Sequence, residues 1–367
     1  MSSARARIFV ALASVWAPLF AHAAAQAQAT PPDSAGPSAA ELEAAEKRRL
    51  PWHDSLFIWD HSATTETLGI GRETQSRNPT YEMTFRLAPR YYLVDEELRT
   101  LSLRADARLI REFTDSDSTT RRGEWTFADT ELWLSWVERL RDVPGERTDL
   151  VVRAPTLVLP TSKVSASSGK VLGVGVGAGV DQGIPLRGDR SSFLKGATLR
   201  PRVGYTYQFV STTVPTSDAI GRVRLDPAGR ALPSDQLGGA AFARHQATLS
   251  LRVETVVADE LTLVSELGAF YTYKYDLDER VQLCGVVDTG CVEIEANRDS
   301  TRSGIATLFA LELGYEFNEV WSAGVGYANL SPQLGANGQR RNVFYSPDAR
   351  ASLSLTVVLD AVYRSVR

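Results

Sequence analysis

The sequence has few of the residues on which metal and catalytic sites usually depend. Among its 367 residues there are only 2 cysteines and 4 histidines. Two thiols without a set of histidine partners are not a zinc-binding pattern. We therefore expect no metal site and no cofactor. The formal net charge of −4 provides no basic field, so nucleic acid is not an expected partner.

The sequence also lacks long apolar runs. After the first 23 residues, no segment reaches the roughly 18 uninterrupted apolar residues that a spanning helix needs. Because unpaired backbone groups are excluded from lipid, only closed sets of strands remain as a way to cross a membrane.

The amino end carries a pattern typical of export. Arg5 and Arg7 precede an apolar run over 8–20, and the small-residue stretch Ala21-His22-Ala23-Ala24 follows. This order predicts a signal peptide over 1–23.

Three regions are predicted from the organisation of the chain. After the signal peptide, 24–54 is expected to be a flexible periplasmic segment, because 24–40 is rich in Ala, Gln, Pro and Ser. A short polar helix is expected over 41–50. The remaining 55–367 is predicted to form one transmembrane β-barrel.

Export also bears on the two cysteines. Cys284 and Cys291 lie in one turn-like stretch, and an exported chain meets an oxidising compartment. We therefore predict that they form a disulfide bond.

From about Leu56 onward the sequence alternates with a period of two, which is typical of strands with two different faces. The clearest case ends at Phe209, and its apolar face comprises Ala197, Leu199, Pro201, Val203, Tyr205, Tyr207 and Phe209. Similar runs occur at 81–91, 101–109, 247–253, 305–315 and 351–359. Weaker runs occur at 55–70, 125–138, 149–160, 171–182, 261–275 and 320–330.

These runs predict about 12 antiparallel strands in an all-β, up-and-down barrel. One set of connections is long and polar: 71–79, 114–124, 161–170, 212–243, 276–301 and 331–346. The other set is mostly short: 93–97, 139–148, 183–194, 258–260 and 317–319. Long extracellular loops, short periplasmic turns and aromatic residues near the strand ends are typical of single-chain outer-membrane barrels.

This pattern resembles the outer-membrane β-barrel superfamily of porins and channel-like transporters over 55–363. The resemblance comes from the alternation and the loop lengths, and no signature motif assigns a specific family. It implies location in the outer membrane of a Gram-negative-type envelope, contact with outer-membrane lipid and insertion by the barrel-assembly machinery. The end Tyr363-Arg364-Ser365-Val366-Arg367 departs from the terminal aromatic that such barrels commonly carry.

If the apolar faces meet lipid, the opposite faces enclose a lumen in which charged side chains can be compensated. The predicted pore-lining residues are Arg86, Arg104, Asp106, Arg108, Arg200, Arg202, Arg252, Glu254, Glu266, Glu312 and Arg350. Such a set predicts either a narrow polar pore that selects solutes by charge and width, or an ion-paired filling that conducts nothing.

An enzymatic function has weaker support in the sequence. His61-Ser62 is similar to the adjacent pair of outer-membrane phospholipases, but no partner Asn can be assigned. His245, Asp276 and Asp278 could lie at the loop-side rim, where solvated loop acids are the simpler interpretation. The glycine run 173–179 lacks the spacing of a phosphate-binding loop. We therefore predict no catalytic residues.

The sequence thus favours a channel for small hydrophilic or amphipathic solutes, with the loops 212–243 and 276–301 narrowing its mouth. A non-conducting structural or adhesive barrel is the alternative, and an integral hydrolase is a third hypothesis. A soluble β-rich protein would have to pack nearly all the apolar strand faces against one another. Neither the solute nor the oligomeric state follows from the sequence.

Overall fold

The computed structural model describes most of the chain after residue 49. The described residues are 50–70, 80–114, 123–143, 146–185, 196–211, 213, 242–276, 280–284, 291–295, 302–333 and 340–366. The predicted signal peptide over 1–23, the segment 24–49 with its predicted helix, and nearly all of the predicted loop 212–243 lie outside them.

The described chain is dominated by strands, because nearly every alternating run of the sequence forms one. The strands are β1 Leu56–Thr64, β2 Tyr81–Ala88, β3 Arg90–Asp95, β4 Arg99–Glu112, β5 Trp125–Phe127, β6 Thr130–Val143, β7 Glu146–Leu159, β8 Lys170–Pro185, β9 Gly196–Val210, β10 Ala243–Ala258, β11 Leu261–Lys274, β12 Arg280–Cys284, β13 Cys291–Glu295, β14 Ser303–Glu316, β15 Trp321–Pro332 and β16 Arg350–Val358. Two short helices are α1 Lys163–Ser168 and α2 Leu359–Val366. No helix in this part of the chain is long and apolar enough to cross a membrane.

The main sheet closes on itself. Strand β1 pairs with β2 on one side and with β16 on the other, so that Leu56 faces both Ala88 and Val358. The other neighbours follow in sequence order and all pairings are antiparallel. Two barrel strands are each interrupted, β2 continuing as β3 and β5 as β6, which gives 12 positions around the wall. The prediction of a 12-stranded up-and-down barrel is confirmed.

The run predicted over 81–91 is not one continuous strand. It breaks at Pro89, which separates β2 from β3. Proline has no N–H to donate to the ladder. Its carbonyl still accepts the Ala105 N–H at 3.1 Å, and β4 pairs with both halves.

The outer face of the barrel is apolar. Large hydrophobic side chains that a water-soluble protein would bury are well exposed, including Val203 at 55%, Leu249 at 59% and Val325 at 62%. Exposed aromatic side chains lie near the strand ends: Tyr205, Phe209 and Tyr271 at one end, and Tyr91, Trp136, Tyr315 and Trp321 at the other. A continuous apolar belt with aromatic ends matches the surface that such barrels present to lipid.

The largest fully buried side chains, in contrast, are all polar. Among the described residues they are Ser102, Asp106, Glu112 and Ser135 on the interior face, together with Asn329 and Ser331. These last two alternate with the interior residues of β15 and donate to the Val343 and Asn342 carbonyls, which cover them. Polar side chains inside and apolar side chains outside reverse the order of a soluble protein. The chain therefore has the architecture of a single-chain outer-membrane barrel.

Both described ends of the chain meet at one end of the barrel, which we call the turn end because the two-residue turn between β10 and β11 lies there. The Leu359 N–H donates to the Ser55 carbonyl at 2.9 Å. The Asp54 N–H donates to the buried Asp360 carboxylate at 2.9 Å, and Trp52 packs edge-on against Tyr363 of α2. The residues before β1 and helix α2 thus form one structure at the turn end.

The lipid-facing assignment of the wall predicts a depth-dependent cost for charge. Val203 lies near the middle of β9, so we expect Val203→Arg to lower the free energy of unfolding by about 2–4 kcal/mol. Phe317 is 58% exposed but follows β14 at the turn end. The control Phe317→Arg should cost about 0–1 kcal/mol, because charge near the interface is tolerated. Urea unfolding in lipid vesicles measures both. Equal losses would contradict the assignment.

Candidate functional site in the barrel interior

Two arginines and one aspartate form a compact ion-paired group on β2 and β4. Asp106 is 1% exposed and receives the Arg86 Nε–H and the Arg108 Nε–H, each at 2.8 Å. Both arginines are themselves buried. The alternation of β4 produces this group, because Ser102, Arg104, Asp106 and Arg108 share the face opposite Leu101 and Leu103. Two arginines thus share one carboxylate inside the wall, and Glu131 lies within electrostatic range of Arg86.

A second group of charges lies on β8, β9 and β10. Arg200 pairs with Glu254 at 2.6 Å and lies 3.8 Å from Asp181. Arg202 pairs with Asp181 and also donates to the Val180 carbonyl at 2.8 Å. Two cations and two anions therefore alternate on neighbouring strands.

The glycine run of β8 makes room for this second group. A Cβ at Gly179 would lie 2.5 Å from the Arg202 Cδ and 2.3 Å from the Pro201 carbonyl oxygen. A side chain at this position would therefore exclude the observed path of Arg202. Gly179 thus provides space for an arginine side chain, and its neighbours Gly173 and Gly175 border Gln208 and Thr206 of β9 in the same way.

The remaining predicted lining residues lie between these groups and on the far wall. Arg252 is buried and stands opposite Glu266 on β11 and Arg200 on β9. Glu312 of β14 lies within electrostatic range of Arg252 and also of Arg86. Strands β14 and β2 are separated by three strands, so the approach of Glu312 to Arg86 is across the interior.

Arg350 forms a further ion pair at the end of the barrel opposite α2. We call this end the loop end. It pairs with Glu82, and its Nη1 lies 3.4 Å from the Ser62 hydroxyl. Asp60 lies within electrostatic range of Glu82, Arg350 and Arg86. The pair between Arg350 and Glu82 thus extends the interior ion pairs to the loop ends of β1 and β2.

A small cavity of about 40 Å³ lies near the turn end, lined by residues that include Asp54, Ala88 and Arg90. Four arginines line it together with Trp133 and Asp54: Arg86, Arg90, Arg104 and Arg153. Asp54 accepts hydrogen bonds from Arg90 at 2.9 Å and from the Tyr92 hydroxyl at 2.8 Å. This wall is the most arginine-rich of the interior surfaces described above.

The interior also has one apolar patch. Phe270 and Leu308 are buried with Ala306, and Leu330 packs against them. These residues lie toward the loop end of β11, β14 and β15. Such a patch gives the lumen one surface on which an apolar part of a solute could rest.

Sequence reasoning missed several interior charges, namely Asp54, Asp60, Glu82, Arg153 and Asp181. Asp60 and Glu82 were detectable, because each lies on the polar face of a clear alternation. Arg153 was not, because both faces of β7 are largely apolar and its register shifts between Arg153 and Thr156. Asp54 lies in the segment that we predicted to be flexible.

The candidate catalytic residues are not brought together. His61 and Ser62 are adjacent in β1 and therefore point to opposite faces. His61 contacts the Tyr81 hydroxyl at 2.9 Å, whereas the Ser62 hydroxyl faces Glu82. His245 contacts the Tyr205 hydroxyl at 2.6 Å. The described residues thus offer neither histidine an adjacent nucleophile, and Asp278 lies outside them.

The two cysteines fall at the ends of paired strands. In the two-stranded sheet β12–β13, Cys284 stands directly opposite Cys291. Directly opposite residues of an antiparallel pair are close neighbours.

No family model matches the chain, and no curated protein matches it. Among solved structures, it is similar to an outer membrane channel from Pseudomonas putida F1, with a TM-score of 0.48, 11% identity, and coverage of 88% of this chain and 99% of that one. It is also similar to the KdgM porin, with a TM-score of 0.34, 9% identity, and coverage of 82% of this chain and 98% of that one. A third similar structure is the transport unit of the autotransporter AIDA-I from Escherichia coli. Its TM-score is 0.40 and its identity 10%, with coverage of 85% of this chain and 91% of that one. Similarities this distant carry no information about function.

The shared use of Asp106 by two arginines predicts a large effect of removing its charge. Asp106→Asn removes the carboxylate charge that two buried guanidiniums share, so we expect a loss of about 3–5 kcal/mol in the free energy of unfolding. Glu96 and Arg99 form an ion pair in which both side chains are 54% exposed. The control Glu96→Gln should leave stability unchanged, because water already screens that pair. A small effect of Asp106→Asn in the same unfolding assay would show that lumen water solvates the arginines.

Proposed function

We propose that the protein is an outer-membrane channel for small hydrophilic or amphipathic solutes. The observation that carries the proposal is the belt of facing arginines and carboxylates inside a barrel whose outer wall is apolar. The proposed lining residues are Arg86, Arg104, Asp106, Arg108, Arg200, Arg202, Arg252, Glu254, Glu266, Glu312 and Arg350. A passive role without catalysis agrees with the separation of His61 from Ser62.

The charge arrangement supports selection rather than free passage. Arg200 and Arg202 stand beside Asp181 and Glu254 on one part of the wall, and Glu312 lies within electrostatic range of Arg86, from which it is separated by three strands. Opposed charges at close quarters create a field across the lumen and orient polar solutes. The apolar patch at Phe270 would accommodate the less polar side of an amphipathic solute.

The location and the regions of the chain complete the proposal. The apolar belt supports residence in the outer membrane, since closed barrels of this kind satisfy every backbone group in lipid. We further propose export by the signal peptide 1–23, a periplasmic segment over 24–54 and a membrane-embedded barrel over 55–367. Insertion would then use the barrel-assembly machinery, and the loops 212–243 and 276–301 would narrow the mouth.

We also propose that Cys284 and Cys291 form a disulfide bond. Their opposite positions in β12–β13 support this pairing, and an oxidising compartment would maintain it. Mass spectrometry of the unreduced, protease-digested protein should find the two cysteine peptides linked. Free thiols at both positions in protein purified from the envelope would refute the proposal.

A non-conducting structural or adhesive barrel is the second candidate, and the dense interior favours it. The ion pairs of Arg86, Asp106 and Arg108 are buried, and the cavity at the turn end measures only about 40 Å³. If ion pairs fill the lumen at every level, the outward loops rather than a pore would carry the function. An integral hydrolase has no corresponding support among the described residues.

Conductance of the purified mature chain in a planar bilayer tests the proposal. We expect stable ohmic steps, and Arg202→Glu should shift the ion preference toward cations, because it reverses one charge of the inner wall. The control Arg99→Glu changes an exposed arginine at the turn end of β4 and should leave the preference unchanged. Correct insertion without conductance would refute the channel and favour the filled barrel. If the protein conducts but Arg202→Glu leaves the ion preference unchanged, the proposed lining is refuted.

A further inference from the structure

Two interior arginines differ from the others because they lack a carboxylate partner. In the described part of the chain, neither Arg104 nor Arg153 forms an ion pair, whereas Arg86, Arg108, Arg200, Arg202 and Arg350 each do. Arg104 donates from Nε to the Ser102 hydroxyl at 3.1 Å. The buried Nε of Arg153 has no hydrogen-bond acceptor among the described residues. Its guanidinium lies 5.6 Å from the centre of the Trp133 ring.

Both arginines line the same cavity at the turn end. Arg90 and Arg86 complete its cationic wall, and Trp133 provides an aromatic surface. Arg104 lies within electrostatic range of both Arg90 and Arg153. Placing guanidiniums side by side in a partly desolvated cavity is unfavourable unless a negative charge compensates them.

The cavity has one acidic lining residue, Asp54, and its carboxylate is already shared. Asp54 accepts from Arg90 and from Tyr92. Glu131 and Asp181 lie within electrostatic range of Arg153. Among the described residues, however, no carboxylate accepts a hydrogen bond from Arg104 or Arg153, so both retain donors for a further acceptor. The planar fork of a guanidinium matches a carboxylate through two parallel hydrogen bonds.

We propose that this cavity binds the carboxylate group of a small organic anion, held by Arg104 and Arg153. This inference deepens the proposed channel function and rests on it for access of the solute through the lumen. The cavity of about 40 Å³ is far smaller than pockets that enclose whole ligands. It therefore accommodates a head group, and the rest of the anion extends into the lumen.

Asp54 acts in this arrangement as a resident carboxylate that competes with the solute for the cationic wall. Its backbone has a positive φ of 61°. Asparagine adopts this left-handed conformation as readily as aspartate. Asp54→Asn thus removes the competing charge without a new backbone constraint.

Isothermal titration of the detergent-purified mature chain with succinate tests the site, with 1,4-butanediol as the uncharged analogue. Succinate should bind and 1,4-butanediol should not. Arg104→Gln and Arg153→Gln should each weaken succinate binding about tenfold or more, because each removes a charge-assisted pair of hydrogen bonds. Asp54→Asn should tighten binding.

The matched control is Arg99→Gln, which removes an arginine from the same strand as Arg104 but from an exposed position. It should not change succinate affinity. Arg153→Lys retains the charge without the planar fork, so it should give an intermediate affinity even if Arg153→Gln fails to fold. Undetectable succinate binding to the unmodified chain would overturn the proposal. An affinity that neither Arg104 nor Arg153 variants alter would do the same.

Conductance of the same preparation separates the two proposals. Ohmic steps without succinate binding would refute the carboxylate site and leave the channel intact. Succinate binding that depends on Arg104 and Arg153, in a protein that does not conduct, would refute the channel and leave the site intact.

Discussion

The whole structure depends on pairing every backbone N–H and C=O group inside a medium that offers no water. An open sheet would leave two unpaired edges in lipid, each group costing several kcal/mol. Pairing of β1 with β16 removes those edges, and it joins the first and last strands of the described barrel. The bond from the Leu359 N–H to the Ser55 carbonyl continues this closure beyond the sheet. The ends of the chain are therefore held together by the same requirement that closes the wall.

Closure then determines which side chains can lie where. Once successive residues face lipid and lumen in turn, Leu103 and Arg104 occupy opposite environments although they are neighbours in sequence. Burying a charged side chain in the interior costs free energy, and an ion pair lowers that cost. Asp106 forms ion pairs with both Arg86 and Arg108. Gly179 of β8 also helps to compensate an interior charge, because Arg202 can reach Asp181 only where this glycine leaves space.

The sequence was sufficient for the fold wherever one strand face was clearly apolar. Val203 and its neighbours in β9 alternate so regularly that strand, face and barrel class all follow from the pattern. The interior site was less predictable, because it depends on contacts between distant strands. Trp133 lies inside although tryptophan usually faces the lipid interface, and Arg153 sits in a strand whose two faces are both apolar. Asp54 precedes the first strand, and nothing in its local sequence indicates that it enters the barrel.

The position of Asp54 connects folding with the charge of the barrel interior. The residues before β1 bind α2 through Asp360 and bring a carboxylate into the cavity through Arg90. The contacts that close the turn end thus also set the charge of the narrow cavity there. Each ion pair that stabilises the wall also occupies space and neutralises charge in the interior. The same side chains therefore set the stability of the wall and the charge of its interior, whereas Arg104 and Arg153 form no ion pair among the described residues and keep donors for a further acceptor.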